Sequence, residues 1–497
     1  MQLGIMSYMH QKPLKKKAIL KRVAVYGGMT LAVLVIVALI ELFISGYRFD
    51  SDQGRIKQYA MLQFNSNPAG AAVLVDDKSI NVQTPNKVTI PAGKHVITMS
   101  KPGYEKWAKT VDVKSGVLVW LNYALLVPEV LTVEPVASLP EVSQTLASPD
   151  SHLIIVQNRT DAPIFDLIDI NSNITKTTKV TIPVTVYSDS TTVGTVHNFS
   201  IDKWDAGGRY VLVKHIYGNK SEWLVLDIQD ANLTKNITRL FDFAISSISF
   251  SGTSGNVFYA LGGTDIRKID LLAGTISRPL VGGVTSFSTY NSSILSYVGS
   301  GTVGTDQQVV GLYRDGDDNP YIIRTTDKTD NLPTIVSVSR YFSQYYVAIA
   351  DSKKVDVFSG SYPISASDSS SLKALTSLTV DEAVQNLSFG PTGQHILVQS
   401  GAYFASYDLE YQLLSSSTIS GTGTGVILSL KWLNDNYLWS DRDGSLKIFE
   451  FDGSNAHVIN PVVAGQTTAL TSNGRYLYSF NKTDVGYQLQ RVRMILP

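Results

Sequence analysis

Few residue types in this chain are spaced for catalysis. Ser200-Ile201-Asp202-Lys203 fits Ser-x-x-Lys, where a lysine amine can activate a serine for acyl transfer. Its companion signatures, Lys-Thr-Gly and Ser-Asp-Asn, are missing, and the motif falls at a strand-to-turn junction. No Gly-x-Ser-x-Gly elbow, His-Glu-x-x-His pair or phosphate-cradling glycine loop is present. The seven histidines are His10, His95, His152, His197, His215, His395 and His457, and none has a second histidine at metal-ligand spacing. Asp315-Gly316-Asp317-Asp318-Asn319 and Asp441-Arg442-Asp443-Gly444 are acidic turns. Asp315, Asp317, Asp441 and Asp443 are candidate calcium ligands, but neither stretch completes a calcium loop with a terminal glutamate, and a solvated turn is the better reading. Without cysteine there is no thiolate metal site, cysteine nucleophile or disulfide framework. No catalytic residue, metal or cofactor is expected on these grounds.

The elements that would position such residues begin with a membrane segment. The chain has 497 residues, with 42 Lys+Arg balanced by 42 Asp+Glu. That neutrality argues against a nucleic-acid partner, which needs a basic surface. The charge is unevenly spread. Lys12, Lys15, Lys16, Lys17, Lys21 and Arg22 precede the first acidic residue, Glu41. Residues 23–44 form an apolar run that, at 1.5 Å per residue, makes about 33 Å of helix, enough for a hydrocarbon core. A cleaved signal peptide has a shorter apolar region. The expectation is a retained transmembrane helix at 23–44. Lys15, Lys16, Lys17, Lys21 and Arg22 set its topology, with residues 1–22 as a cytoplasmic basic tail and the rest outside the cell membrane.

Residues 45–62 read as a juxtamembrane linker. Residues 63–116 read as short strands with turns at Asp76-Asp77 and Pro91-Ala92-Gly93-Lys94. His95 heads one strand and reads as a structural hydrogen-bonding residue. Tyr104 and Trp107 are the binding candidates here, as a small exposed recognition patch or as packing against a neighbouring turn. Residues 117–133 are apolar, too short for a second span, and read as a connector buried between domains.

From about residue 134 a unit recurs: a Gly/Asp/Asn turn, an alternating apolar strand, a second turn, and a strand ending in Asp-Ile or Asp-Leu. Markers at 149, 205, 252, 291, 340, 391, 433 and 473 are spaced by about 46 residues, the signature of propeller blades. The expectation is a β-propeller over 134–497 in eight repeats, seven or eight blades, closed by residues 134–139 pairing beside Gln488 to Ile495. Asn-x-Ser/Thr triplets at Asn158, Asn173, Asn198, Asn232 and Asn236 read as incidental.

Two resemblances attach to these residues. Pro68-Ala69-Gly70-Ala71, Thr84-Pro85, Gly93-Lys94-His95 and Gly103-Tyr104 make residues 63–116 similar to a PEGA domain, with Ala69 in the position of the name-giving glutamate. The resemblance implies a small non-catalytic β-sandwich on a bacterial or archaeal surface protein. The Ser-Pro-Asp and Gly-Pro-Thr-Gly turns resemble TolB-like and WD40-like propeller repeats, although most Gly-His and Trp-Asp dipeptides are missing. The fold class expected is therefore an all-β extracellular region, a PEGA-like β-sandwich plus a 7- or 8-bladed β-propeller, behind one N-terminal transmembrane helix. The function expected is non-enzymatic binding or scaffolding at the cell envelope. The partners are the lipid bilayer and either cell-wall glycan or another envelope protein. The alternatives are a glycan-acting enzyme with carboxylates in the propeller channel, or a single-pass sensor.

Overall fold

A computed structural model describes residues 16–50, 54–172, 174–192, 194–241, 243–291, 293–301, 307–327, 332–365, 368, 370–419 and 430–497. Helix α1 (Lys16–Ile44) carries the apolar run. From Leu20 to Ile44 it is long and apolar enough to cross a membrane, and none of that stretch is buried by protein. Near its middle Thr30 donates to the carbonyl of Tyr26 at 2.9 Å and so stays satisfied without water. The helix stops at Gly46, whose φ of +83° favours glycine. A Cβ there would lie 2.3 Å from the Tyr59 carbonyl oxygen, so no other residue fits. Lys15 lies outside the described residues, and Lys16 and Lys17 open the helix.

The chain divides into two compact units, Met1–Leu126 and Val127–Pro497. Among the described residues the first holds eight strands: β1 (Tyr47–Asp50), β2 (Arg55–Asn67), β3 (Ala72–Val75), β4 (Lys78–Gln83), β5 (Asn86–Pro91), β6 (Gly93–Ser100), β7 (Trp107–Val113) and β8 (Leu118–Leu125). In one sheet β2 pairs antiparallel with β1 and β5 and parallel with β8. The other sheet runs β4-β3-β6-β7. Every second residue of β2 from Ala60 to Ser66 is buried. Val73, Ile97, Met99 and Trp107 of the other sheet are buried too, as expected for a two-layer sandwich.

Two boundaries are corrected. Residues 45–62 are not a linker, since β1 and the first half of β2 pair there. Residues 117–133 are not a connector: Leu118–Leu125 is a strand beside β2. A run that is apolar but for Asn122 hides the period of two that would mark it as a strand.

The second unit begins with β9 (Val133–Leu139) and continues as eight four-stranded antiparallel sheets. The repeat has a hydrogen-bonding cause. Asp169, Asp227, Asp270 and Asp408 each end a third strand and accept from the backbone N–H groups two and three residues on. These are Asx-type turns. At the same end of the blades, between first and second strands, Asp205 accepts from Arg209 and Tyr210 N–H, and Asn434 from Asn436 and Tyr437 N–H.

Neighbouring sheets share apolar clusters. Ile155 and Phe165 of the first pack with Phe199, Val211 and Leu224 of the second. Ile154, Val156 and Ile168 of the first also pack with Tyr478, Phe480 and Leu489 of the eighth. Intermediate clusters join the second to the third sheet, and so on to the seventh. Between seventh and eighth, Asn460 Nδ2 donates to Ser479 Oγ at 3.0 Å. The sheets therefore form a closed ring of eight blades. The last blade, Ala469–Leu470, Tyr476–Thr483 and Gly486–Arg493, takes β9 as its fourth strand. Residues 133–139 pair with 487–492 there, which is the closure expected from the sequence.

Candidate functional site: a Glu-His-His relay in the second blade

The second blade consists of His197–Trp204, Tyr210–Tyr217, Lys220–Asp227 and Lys235–Asn236. The Asp205 turn, with Gly208 at φ +68°, fixes the first hairpin so that Phe199 faces His215. The second hairpin sets His215 opposite Glu222. The strands thus bring three titratable groups into line. His215 Nδ1 lies 2.8 Å from Glu222 Oε1, and His215 Nε2 lies 2.9 Å from His197 Nδ1. His215 and Glu222 are buried and His197 is half-buried.

Aromatic rings wall the relay. Phe199 stacks on the His215 imidazole at 4.3 Å, Tyr217 stacks on it at 5.1 Å, and Tyr187 meets it edge-on at 5.2 Å. The Glu222 carboxylate also accepts from Ser188 N–H at 2.8 Å and Ser188 Oγ at 2.7 Å. Burial alone would raise the pKa of Glu222. The hydrogen bonds from His215, Ser188 and Asn236 outweigh it and bring the pKa down to about 2.

An ionised carboxylate only accepts, so His215 Nδ1 carries a proton. With His215 neutral, its Nε2 accepts from His197 Nδ1–H. That tautomer leaves a lone pair on His197 Nε2 at the half-buried end of the chain. The arrangement can take up a proton at one end and stabilise the charge through the carboxylate at the other. Ser188 is no nucleophile here, since its hydroxyl donates to the carboxylate rather than to a histidine.

The structure disperses the sites expected from the sequence. Tyr104 and Trp107 are buried, Trp107 edge-on to Tyr123 at 6.1 Å, so they form no exposed patch. The acidic turns are held by neighbours. Asp315 accepts from Lys268 Nζ at 2.5 Å, and Asp317 from Arg314 and Tyr362. Asp441 accepts from Gly465 N–H at 2.7 Å, and Asp443 lies 3.9 Å from Lys447 Nζ. Among the described residues no three His, Asp or Glu side chains gather as metal ligands. Lys203 lies 3.5 Å from Asp202, in a bulge after Ser200. Asn173 lies outside the described residues, and Asn236 is buried. His95 links Asp76 Oδ2 at 2.7 Å to the Pro91 carbonyl at 2.8 Å, a structural role.

The relay escaped the sequence reading because eighteen residues separate its histidines, and a bulge between Ile201 and Lys203 shifts their register. The available signal was His215 two residues after the apolar run Val211-Leu212-Val213, seven residues before Glu222 across a glycine turn.

No curated protein sequence matches the chain. Among solved structures, Hsv2 of Kluyveromyces lactis aligns at 12% identity and TM-score 0.39, over 71% of this chain and 99% of its own. PorZ, a surface component of the type-IX secretion system of Porphyromonas gingivalis, aligns at 12% identity and TM-score 0.38, over 71% of this chain and 43% of its own. An oligogalacturonate lyase in complex with manganese aligns at 10% identity and TM-score 0.40, over 74% and 98%. The PEGA domain family matches residues 60–127, from the first buried residue of β2 to just past β8. The first unit of this chain carries a PEGA domain.

Proposed function

We propose that the chain is a non-enzymatic binding or scaffolding protein of the cell envelope. In this reading α1 anchors it with its N-terminus in the cytoplasm, and the propeller stands outside and binds cell-wall glycan or another envelope protein. The observation that carries the reading is the uncovered apolar length of α1, joined through Ser45 and Gly46 to a domain of the PEGA family. The use of polar side chains in the ring supports a scaffold. Gln144 both donates to and accepts from the backbone of Ile201, and Gln157 donates to the Phe199 carbonyl. Asn386 and Gln399 bind the backbone of Leu430 in the same manner. These amides stitch blade to blade, and the connecting loops are left to recognise a partner.

The test mixes the detergent-solubilised full chain with isolated cell-wall sacculi, and separately with solubilised envelope proteins. Saturable pelleting with intact glycan, or capture of one envelope protein, is expected. Binding to neither overturns the reading. Protease added to intact spheroplasts checks the orientation by removing the propeller. The relay favours one other reading, a glycan-acting enzyme with His197 as base. Release of soluble glycan fragments that stops in His197→Ala would select it.

A further inference from the structure

The end of α1 is a reversal. Ser45 N–H donates to the Glu41 carbonyl at 2.9 Å and Gly46 N–H to that of Phe43 at 3.1 Å. β1 then doubles back past the helix end, where the Arg48 guanidinium lies 5.0 Å over the Phe43 ring. β2 pairs with β1 over Arg55–Gln58. Only from Tyr59 onward does it pair with β5 and enter the sandwich. The junction is pinned by Tyr59 N–H donating to the Gly46 carbonyl at 2.8 Å and Gly116 N–H to that of Tyr59 at 3.0 Å. The hairpin therefore projects from the helix exit on the side away from the sandwich core. Four residues of strand span about 13 Å.

This hairpin has two unlike faces. Tyr47, Phe49 and Ile56 share one, with Phe49 and Ile56 directly paired across the strands. These two are 69% and 66% exposed. Arg48 and Lys57 are paired on the other face. In a sandwich an apolar cross-strand pair normally faces the second sheet, but the second sheet does not extend over this one. Two residues separate β1 from the last turn of α1, so any bilayer that α1 crosses lies within reach of Phe49.

We propose that β1 and Arg55–Gln58 form a membrane-interface anchor. Phe49 and Ile56 enter the acyl boundary of the leaflet from which α1 emerges, while Arg48 and Lys57 reach the lipid phosphates. The inference rests on α1 spanning the bilayer. An apolar face buried about 5–10 Å into the interface, flanked by cations whose stems lie along apolar surface, is how peripheral segments hold to lipid. The hairpin would then limit how far the PEGA domain swings about the helix.

The chain has no cysteine, so single cysteines can carry an environment-sensitive dye. Full-length Phe49→Cys, Ile56→Cys, Phe43→Cys and Val96→Cys proteins are labelled. Each is reconstituted in vesicles of about three parts phosphatidylcholine to one of phosphatidylglycerol, with spin-labelled lipid quenchers near the headgroup. Phe43 reports the helix end. Val96, in β6, reports the aqueous surface of the sandwich. Quenching at positions 49 and 56 is expected to match that at 43 and exceed that at 96 by about two-fold or more, as insertion to interfacial depth requires. Replacing Arg48 and Lys57 by Glu should lower it at 49 and 56 while leaving 43 unchanged. Quenching at 43 with 49 and 56 behaving like 96 overturns the hairpin anchor and leaves the span standing. No quenching at 43 overturns both. Dye self-quenching between copies at 49, without lipid quenching, overturns the proposal in favour of a contact between chains.

Discussion

Glu222 is the residue at which pH acts on the fold most directly. Its carboxyl titrates at about 2 in the folded state against 4.5 for the free group. A depressed carboxylate contributes its stability above the unfolded value and loses it as pH falls through the folded one, and a gap of that size is on the order of 3 kcal/mol. Glu222→Gln is therefore expected to destabilise the protein by that order at pH 6. The two proteins should converge as pH falls from about 4.5 towards 2. Urea unfolding at several pH values measures it, and parallel curves would show that Glu222 is not held down by the relay. Trp107 makes a different demand. At 1% exposure it fills the sandwich between the sheets, and Trp107→Ala should cost about 3–5 kcal/mol, the range for emptying a large aromatic from a core. Packing was the stronger reading of Trp107 in sequence, but which partner it packs on was not legible beside a Gly-Tyr turn.

The element with the most consequence is β9, which joins the first strand of the second unit to its last blade. Besides its backbone pairing with the last strand, an ion pair and a buried leucine hold it. Glu134 accepts from Arg491 Nε at 2.8 Å, with both side chains part-exposed. Beneath them Leu489, paired with Ala137, is fully buried among Leu139, Ile154 and Tyr478. A part-exposed ion pair contributes up to about 1 kcal/mol, whereas emptying a buried leucine costs about 2–5 kcal/mol. Glu134→Ala should thus lower stability slightly and Leu489→Ala several-fold more, as denaturant midpoints would report. The reverse order would mean that charge rather than burial closes the ring. The sequence displayed β9 and the blade strands well, because each alternates and is bracketed by turn residues whose side chains cap the next backbone N–H groups. It hid β1 and the start of β2. Apolar and charged residues alternate there as in any strand, but β1 and residues 55–58 meet no second sheet that would bury one face, and the alternation passes for a polar spacer. It hid β8 because the run 117–127, apolar but for Asn122, carries no period.

For the whole molecule, two separate cores imply two cooperative transitions. The sandwich buries Leu62, Phe64 and Trp107 among themselves, and the ring buries its residues between successive blades. Unfolding enthalpy scales at about 0.7 kcal/mol per residue. An ordered sandwich of about 80 residues should absorb some 60 kcal/mol, and a ring of about 370 several times more. Scanning calorimetry of the detergent-solubilised full chain is expected to resolve a small and a large transition. Trp107→Ala should move only the small one and Leu489→Ala only the large one. Each blade keeps short edge strands, but β9 completes the last sheet and both its neighbours pack on it, so a defect at the closure is expected to be felt by blades that share no residue with it. A Leu489→Ala protein whose large transition splits in two would show instead that the blades unfold as a series of neighbours, with β9 stabilising only the last.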